Sequence, residues 1–149
     1  MTGKQFIVLA KKLAAEVGPA ECRSAVSRAY YGAFHVALAL LARTGILLPP
    51  GPEAHQKLRF CLLQSGEIPG AEAGEKLESL RRDRNLADYD LRQSRSEASN
   101  FARRQVQIAL EILNCVEMCG VEPTWSQFRT NVRAYATNVL RIALADESK

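Results

Sequence analysis

Four polar side chains that could bind a ligand or do chemistry have the spacing of one helix face. They follow at intervals of four, three and four residues: Ser24, Arg28, Tyr31 and His35. Side chains at these intervals lie on the same side of an α-helix. Arginine can bind a phosphate, and histidine can move a proton near neutral pH. We expect Arg28 to be partly buried and hydrogen-bonded to a carboxylate or to Tyr31. The alternatives are a polar network that only fixes the helix register, and a solvated helix edge.

A second polar group lies in residues 81–89. If a helix continues through this segment, one face carries Arg81, Arg84, Asn85 and Asp88. Arg84 can then pair with Asp88 four residues later. Between positions 81 and 104 there are seven arginines and four acidic residues, which makes this region the most basic in the chain. The pattern indicates either a phosphate-binding surface or an ordinary solvated helix face.

Few other residues suggest chemistry. Cys115 and Cys119 lie one helical turn apart, but zinc needs about four ligands, and no histidine or further cysteine is near them in sequence. We therefore expect no metal site and no cofactor, and we assign the four cysteines to the core as free thiols. The sequence contains no glycine-rich phosphate loop, no Ser-His-Asp order and no metalloprotease motif.

Composition is typical of a globular helical protein with a mild basic bias. The 149 residues are 47% hydrophobic and 24% charged, with a formal net charge of +4. A basic balance is compatible with a polyanionic partner. The longest apolar stretch, residues 32–42, is far below the roughly 20 residues that cross a bilayer. We therefore expect a cytoplasmic protein without a membrane partner.

Hydrophobic periodicity predicts an all-α fold, an antiparallel up-and-down bundle of about five or six helices. The predicted helices span about 2–17, 20–44, 53–65, 71–87, 94–120 and 124–145. Capping boxes are expected at Thr2–Gln5 and at Ser94–Glu97. Between Ala29 and Ala42 the second helix is apolar almost all round, and it should be the most buried helix. The predicted inner face of the first helix consists of Phe6, Leu9, Ala10, Leu13 and Val17.

Three segments, taken together, resemble the small stand-alone HEPN proteins. They are Ser-Arg-Ala-Tyr-Tyr-Gly-Ala-Phe-His at 27–35, Ala-His-Gln-Lys at 54–57 and Arg-Asn-Leu-Ala-Asp-Tyr at 84–89. In that group similar elements occur in the same order. The resemblance covers about residues 5–116 and leaves the predicted last helix, about 124–145, outside. It implies one HEPN-like helical domain over residues 1–149, which commonly dimerises.

The resemblance also implies a particular active site. Many relatives are ribonucleases or toxins, often paired with a minimal nucleotidyltransferase. Their site is an arginine and a histidine with four to six residues between them. Here Arg84 is followed by Asp88 at the matching position, and no histidine occurs after His55. An ionised aspartate only accepts a hydrogen bond, whereas a neutral histidine can shuttle a proton. Arg28 and His35 also have the family spacing, but on the second helix, and we treat that match as mostly coincidental.

Three functions remain open. The first is an RNA- or nucleotide-associated binding module, a catalytically degenerate partner in a toxin–antitoxin or defence-like system. The second is a metal-independent ribonuclease with an unconventional site at His35 or His55. The third is a structural partner of a nucleotidyltransferase. We expect a homodimer, and RNA binding that weakens more in Arg84→Ala than in Lys149→Ala. The predicted binding residues are Arg28, Tyr31, Arg81, Arg84, Asn85, Asp88 and Tyr89.

Overall fold

A computed structural model describes residues 1–145, and Lys149 therefore lies outside the described residues. The described chain contains six α-helices, one short 3₁₀ helix at Ser94–Glu97 and no strand. The prediction of an all-α fold with about five or six helices is confirmed. In chain order the helices are α1 (Gly3–Ala14), α2 (Pro19–Arg43), α3 (Pro52–Leu63), α4 (Ile68–Tyr89), α5 (Ser99–Cys119) and α6 (Thr124–Asn138).

The chain forms two compact units. The first unit comprises Met1–Val36 and Lys76–Ile112, and the second comprises Ala37–Glu75 and the chain from Leu113 onward. Helices α2, α4 and α5 each contribute residues to both units. Every residue predicted for the site belongs to the first unit, except His55, which lies on α3 in the second.

In the first unit, α1 and α2 approach each other closely at two glycines. A Cβ atom added to Gly3 would lie 2.5 Å from the Gly32 carbonyl oxygen, and one added to Gly32 would lie 2.5 Å from Ile7 Cγ1. The Thr2–Gln5 capping box that begins α1 is present, with the Thr2 amide donating to Gln5 Oε1 at 2.7 Å. Only glycine leaves room for the close approach of α1 and α2 at Gly3 and Gly32. This approach places the Phe6 ring against His35 of α2.

The predicted inner face of α1 is wrong in most positions. The buried residues are small or medium-sized, namely Gly3, Ile7, Ala10 and Ala14. Phe6 and Leu13 are only half-buried, and Leu9 and Val17 are exposed. The close crossing explains the difference, because it selects small side chains between the helices and turns Phe6 sideways against the polar stripe of α2.

Helix α2 supplies much of the buried core of the first unit, and its polar stripe lies on the outer side. Ala25, Ala29 and Ala33 are fully buried, whereas Ser24 and His35 are exposed. By length and composition α2 is the one helix within the described residues that could cross a membrane, but 67% of its most apolar window is buried inside the fold. A helix in the core of a folded protein can have the same length and composition.

Two predicted helix boundaries are wrong by five residues or more, and the end of α1 and the start of α4 differ from the prediction by three residues. Ser94–Glu97 forms its own 3₁₀ turn and does not cap α5, which begins at Ser99. The Glu97 carboxylate instead accepts hydrogen bonds from Arg23. The last helix ends at Asn138 rather than near 145. Arg141, with a φ of +58°, has a left-handed conformation that a continuing helix excludes.

The second unit is held by polar contacts between its helices and loops as well as by its core. On α6, Asn131 Nδ2 donates to the Ser65 carbonyl at 2.7 Å, and Arg133 Nη1 donates to the Thr44 carbonyl at 2.7 Å. All four cysteines are free and buried. Burial raises the pKa of the Cys61 and Cys119 thiols to about 12, so at neutral pH both are protonated thiols that fill space rather than nucleophiles.

Candidate functional site

The two predicted polar groups meet in the first unit. The Arg84 guanidinium carbon on α4 lies 5.1 Å from the centre of the Tyr31 ring on α2. Ser27, the residue before Arg28, donates from Oγ to Asp88 Oδ2 at 3.1 Å. The structure therefore joins the α2 stripe and the α4 group into one surface. We call it the aromatic–arginine cluster, and it consists of Phe6, Ser27, Arg28, Tyr31, Arg84, Asp88 and Tyr89.

Rings and guanidinium groups alternate across this cluster. The Arg28 guanidinium carbon lies 5.1 Å from the Phe6 ring centre and 5.4 Å from that of Tyr31. Beyond Tyr31 comes Arg84, and then the Tyr89 ring at 5.7 Å from the Arg84 guanidinium carbon. Each cation thus lies within cation–π distance of the rings on both sides. The outermost ring, Tyr89, is 76% exposed.

Asp88 is the acidic residue that ties the cluster together. It pairs with Arg84 across 3.6 Å, as the four-residue spacing predicts. It also accepts the hydrogen bond from Ser27, whose own Oγ accepts a bond of 3.3 Å from Arg28 Nη2. The expected link from Arg28 to a carboxylate is therefore indirect, through the Ser27 hydroxyl. Arg28 lies over the face of the Tyr31 ring.

Arg84 is buried among rings and has only long polar contacts. It is 6% exposed, its Nη1 lies 3.4 Å from the Tyr89 hydroxyl, and its buried Nε has no hydrogen-bond partner. Tyr30 lies beneath it, with the ring centre 5.4 Å from the Arg84 guanidinium carbon. Burial raises the pKa of Tyr30, although Arg81 and Arg84 lower it. The Tyr30 phenol therefore stays neutral, and Arg84 keeps unused donor capacity.

The other predicted residues lie at the edge of the cluster or away from it. His35 is exposed, and its ring stacks on Phe6 with the centres 5.9 Å apart. Asn85 is exposed on α4, and Arg81 is half-buried. His55 is half-buried on α3 in the second unit. Within residues 1–145, no group of three or more His, Cys, Asp or Glu side chains could hold a metal ion.

Arg23 was not among the predicted residues, yet it has the densest hydrogen bonding at the site. It is 8% exposed and donates seven hydrogen bonds. Two go to Glu97 Oε1, and the other acceptors are the carbonyls of Leu86, Ala87, Asp90, Leu91 and Gln93. Arginine often caps the last carbonyls of a helix in this way. Arg23 thus fixes the end of α4, which carries Asp88 and Tyr89.

Replacing Arg28 with alanine should cost about 1–2 kcal/mol of unfolding free energy, because two cation–π contacts are lost at a half-buried site. The melting temperature should fall by about 3–6 °C, measured by circular dichroism. The expected loss of unfolding free energy is smaller than the roughly 3–5 kcal/mol that applies to a broken buried ion pair, because Arg28 donates to a hydroxyl rather than to a carboxylate. Arg28→Lys, which keeps the charge, should recover part of the loss. A melting temperature within a degree or two of wild type would mean that the stripe is solvated.

Chemically, the cluster can stack a planar ligand and can attract an anion. It contains two guanidinium groups against one carboxylate. That carboxylate, Asp88, already accepts a hydrogen bond and pairs with Arg84. An imidazole lies only at the edge, in His35. The arrangement therefore resembles a stacking surface more than a proton-transfer site.

Comparison with curated proteins and with solved structures finds no match to this chain. The family model described as the HEPN domain matches residues 3–119, which agrees with the resemblance predicted over about residues 5–116. Because this match spans well over half of the 149 residues, the chain belongs to the HEPN domain family.

Proposed function

We propose that this HEPN protein binds single-stranded RNA, or a partner that carries a nucleotide, through the aromatic–arginine cluster and does not cleave it. The observation that supports this most is the alternation of rings and guanidinium groups, which ends in the exposed ring of Tyr89. Aromatic rings backed by arginine are typical of surfaces that stack nucleobases without reading their sequence.

The two arginines of the cluster have different parts in this proposal. Arg84 is buried and paired with Asp88, so its charge is largely compensated. Arg28 is half-buried and bonds a neutral hydroxyl, so its charge is the more available to a phosphate. A base would stack on Tyr89, and the adjoining phosphate would meet Arg28. Asn85, exposed on α4, can donate a further hydrogen bond to the ligand.

The binding test compares two tyrosine variants and one arginine variant. Tyr89→Ala should weaken binding of a fluorescein-labelled single-stranded RNA about tenfold, because a stacked base is worth about 1–3 kcal/mol. Tyr89→Phe keeps the ring and should bind like wild type. Arg28→Gln should lower the slope of log affinity against log salt by about one phosphate contact. Fluorescence anisotropy over a range of salt concentrations measures both effects.

Arg104→Gln is the matched control, since Arg104 is exposed on α5 and lies outside the cluster. It should leave affinity within about twofold of wild type. The proposal fails if Tyr89→Ala binds RNA as tightly as Tyr89→Phe does, or if Arg104→Gln changes the salt slope as much as Arg28→Gln. Arg84→Ala is less informative than Arg28→Gln, because removing a buried side chain also changes stability.

One observation favours a second candidate, a metal-independent ribonuclease. Arg28 and His35 both lie against the Phe6 ring, at 5.1 and 5.9 Å, so the pair with the family spacing shares one surface. An exposed imidazole beside an arginine could transfer a proton to or from RNA. The sequence after Arg84 argues for binding over cleavage, because no histidine follows Arg84 and the acidic Asp88 lies one helical turn after it.

The proposal extends to location and partners. We infer a cytoplasmic protein that forms a homodimer through the surface of Arg84, Asp88 and Tyr89. Leu91, two residues after the end of α4, is 75% exposed, as a residue of an interface is in an isolated chain. Tyr89 would then border the interface, with its ring open to the ligand. A nucleotidyltransferase would be the expected nucleotide-bearing partner. Co-purification with such a protein, free of RNA, would instead favour a purely structural role.

A further inference from the structure

A concave surface lies in the first unit and shares no residue with the aromatic–arginine cluster. It is a cleft of about 340 Å³ between α1 and α5. On α1 its lining residues Lys11 and Ala14 lie five and eight residues beyond Phe6, and so in other directions around the helix. The two sites thus use different residues of α1, and each can be tested by variants that leave the residues of the other in place.

The floor of this α1–α5 cleft is aliphatic. Ala14 and Val106 are buried at its base, and Leu110 is half-buried beside them. Along α1 the apolar character continues to Val8, which shares a helix face with Lys11 and Ala15 and is 55% exposed. A recess with an aliphatic floor has a shape that the apolar side chains of a ligand can enter.

The rim of the cleft is basic. Lys11 on α1 and Arg103 on α5 line it, both are exposed, and no acidic side chain is among its lining residues. Lys12 and Arg104, the next residues along each helix, are also exposed but do not line the cleft. The cleft therefore offers an aliphatic floor between two cations.

We propose that the α1–α5 cleft is a docking site for an acidic amphipathic segment of a partner protein. The partner's aliphatic side chains would enter the cleft, and its carboxylates would pair with Lys11 and Arg103. Complementary charge of this kind speeds association and suppresses wrong partners. A helix that lays its apolar face into a groove uses anchors at i, i+3, i+4 and i+7 spacing.

The lining disfavours the two other polyanionic occupants. A nucleobase needs an aromatic platform, and no aromatic side chain lines the cleft. A lipid surface needs a set of protruding apolar residues. Here Ala14 and Val106, which form the floor, are recessed between the two helices, and the exposed Val8 lies outside the cleft lining. An aliphatic side chain flanked by carboxylates matches both the floor and the rim.

The test uses a defined probe, an amphipathic peptide of about 14 residues with leucines at i, i+3, i+4 and i+7 and glutamates on its other face. Titrated into the full ¹⁵N-labelled chain, it should shift the amide signals of Ala14, Ala15, Val106 and Leu110. Lys11→Glu and Arg103→Glu should each weaken this binding at least about fivefold through charge reversal. The same peptide with lysine in place of glutamate should not bind the cleft.

Lys12→Glu and Arg104→Glu are the matched controls, because they make the same charge change one residue outside the cleft. They should alter the affinity by less than about twofold. Equal losses in the cleft and control variants, or equal binding of the two peptides, would overturn the proposal. So would a single-stranded RNA, or phosphatidylglycerol-rich vesicles, whose binding depends on Lys11 and Arg103 while that of the acidic peptide does not.

Discussion

Replacing Arg23 with alanine should lower the free energy of unfolding by about 3–5 kcal/mol and the melting temperature by about 10 °C. The reason is the number of partners that lose their donor together, which are five backbone carbonyls and the Glu97 carboxylate. The Arg23 side chain is 10% exposed, and that of Glu97 is 35% exposed. Solvent therefore screens part of the ion pair, and most of the loss comes from the carbonyls. Urea denaturation and thermal melting both measure it.

Two controls separate this hydrogen bonding from charge alone. Arg23→Lys keeps the charge, but lysine has no planar guanidinium to reach several carbonyls at once. This variant should therefore be destabilised almost as much as Arg23→Ala. Arg92→Ala also removes an arginine near the end of α4, but from a side chain that is 92% exposed, and it should melt like wild type. If Arg23→Ala proves as stable as Arg92→Ala, the network around Arg23 is not what holds the end of α4.

Wild-type protein should show almost no ribonuclease activity in EDTA, because position 88 lacks an imidazole. A positioned proton-transfer group contributes about 10²–10⁴-fold to the rate of such a reaction, so its loss should be clear in a cleavage assay. The assay uses a structured RNA, with a metal-independent ribonuclease as the positive control. Asp88 is moreover engaged by Ser27 and Arg84. Asp88→His supplies the missing imidazole next to Arg84. Cleavage that appears in this variant alone would identify position 88 as the lost catalytic position.

The two histidines give the opposite test. His35→Ala and His55→Ala should leave the negligible activity of wild type unchanged. Robust wild-type cleavage that disappears in His35→Ala would make the protein a ribonuclease with its site beside Phe6 and Arg28. Loss in His55→Ala would move the site to α3 in the second unit. Either result would show that the protein cleaves RNA, and the proposal that it binds RNA without cleaving it would be wrong.

Local spacing was enough to predict much of the cluster. The Arg84–Asp88 pair and the common face of Arg28 and Tyr31 follow from helical periodicity alone, and the structure has both. Helix α2 was predicted correctly as a buried helix with one polar stripe. These features depend on residues at most a few turns apart, for which the regular geometry of a helix fixes the neighbours.

What could not be predicted depends on contacts between distant parts of the chain. Arg23 is separated by 63 to 74 residues from its acceptors, and its only local signal is that it precedes Ser27 by one helical turn on α2. The inner face of α1 was mistaken because periodicity favours large apolar residues. The crossing of Gly3 and Gly32 instead needs small ones, which leaves Phe6 to stack on Arg28.

Photo-crosslinking tests most directly whether RNA lies on the aromatic–arginine cluster. A single-stranded RNA that contains 4-thiouridine is irradiated with the wild-type protein, and the crosslinked peptides are identified by mass spectrometry. We expect crosslinks in the peptides that contain Tyr89, Tyr31 or Phe6, and a clear reduction in Tyr89→Ala. Crosslinks confined to peptides outside the cluster, for example those around Arg103 and Arg104, would contradict the proposal, and so would none at all at high RNA concentration.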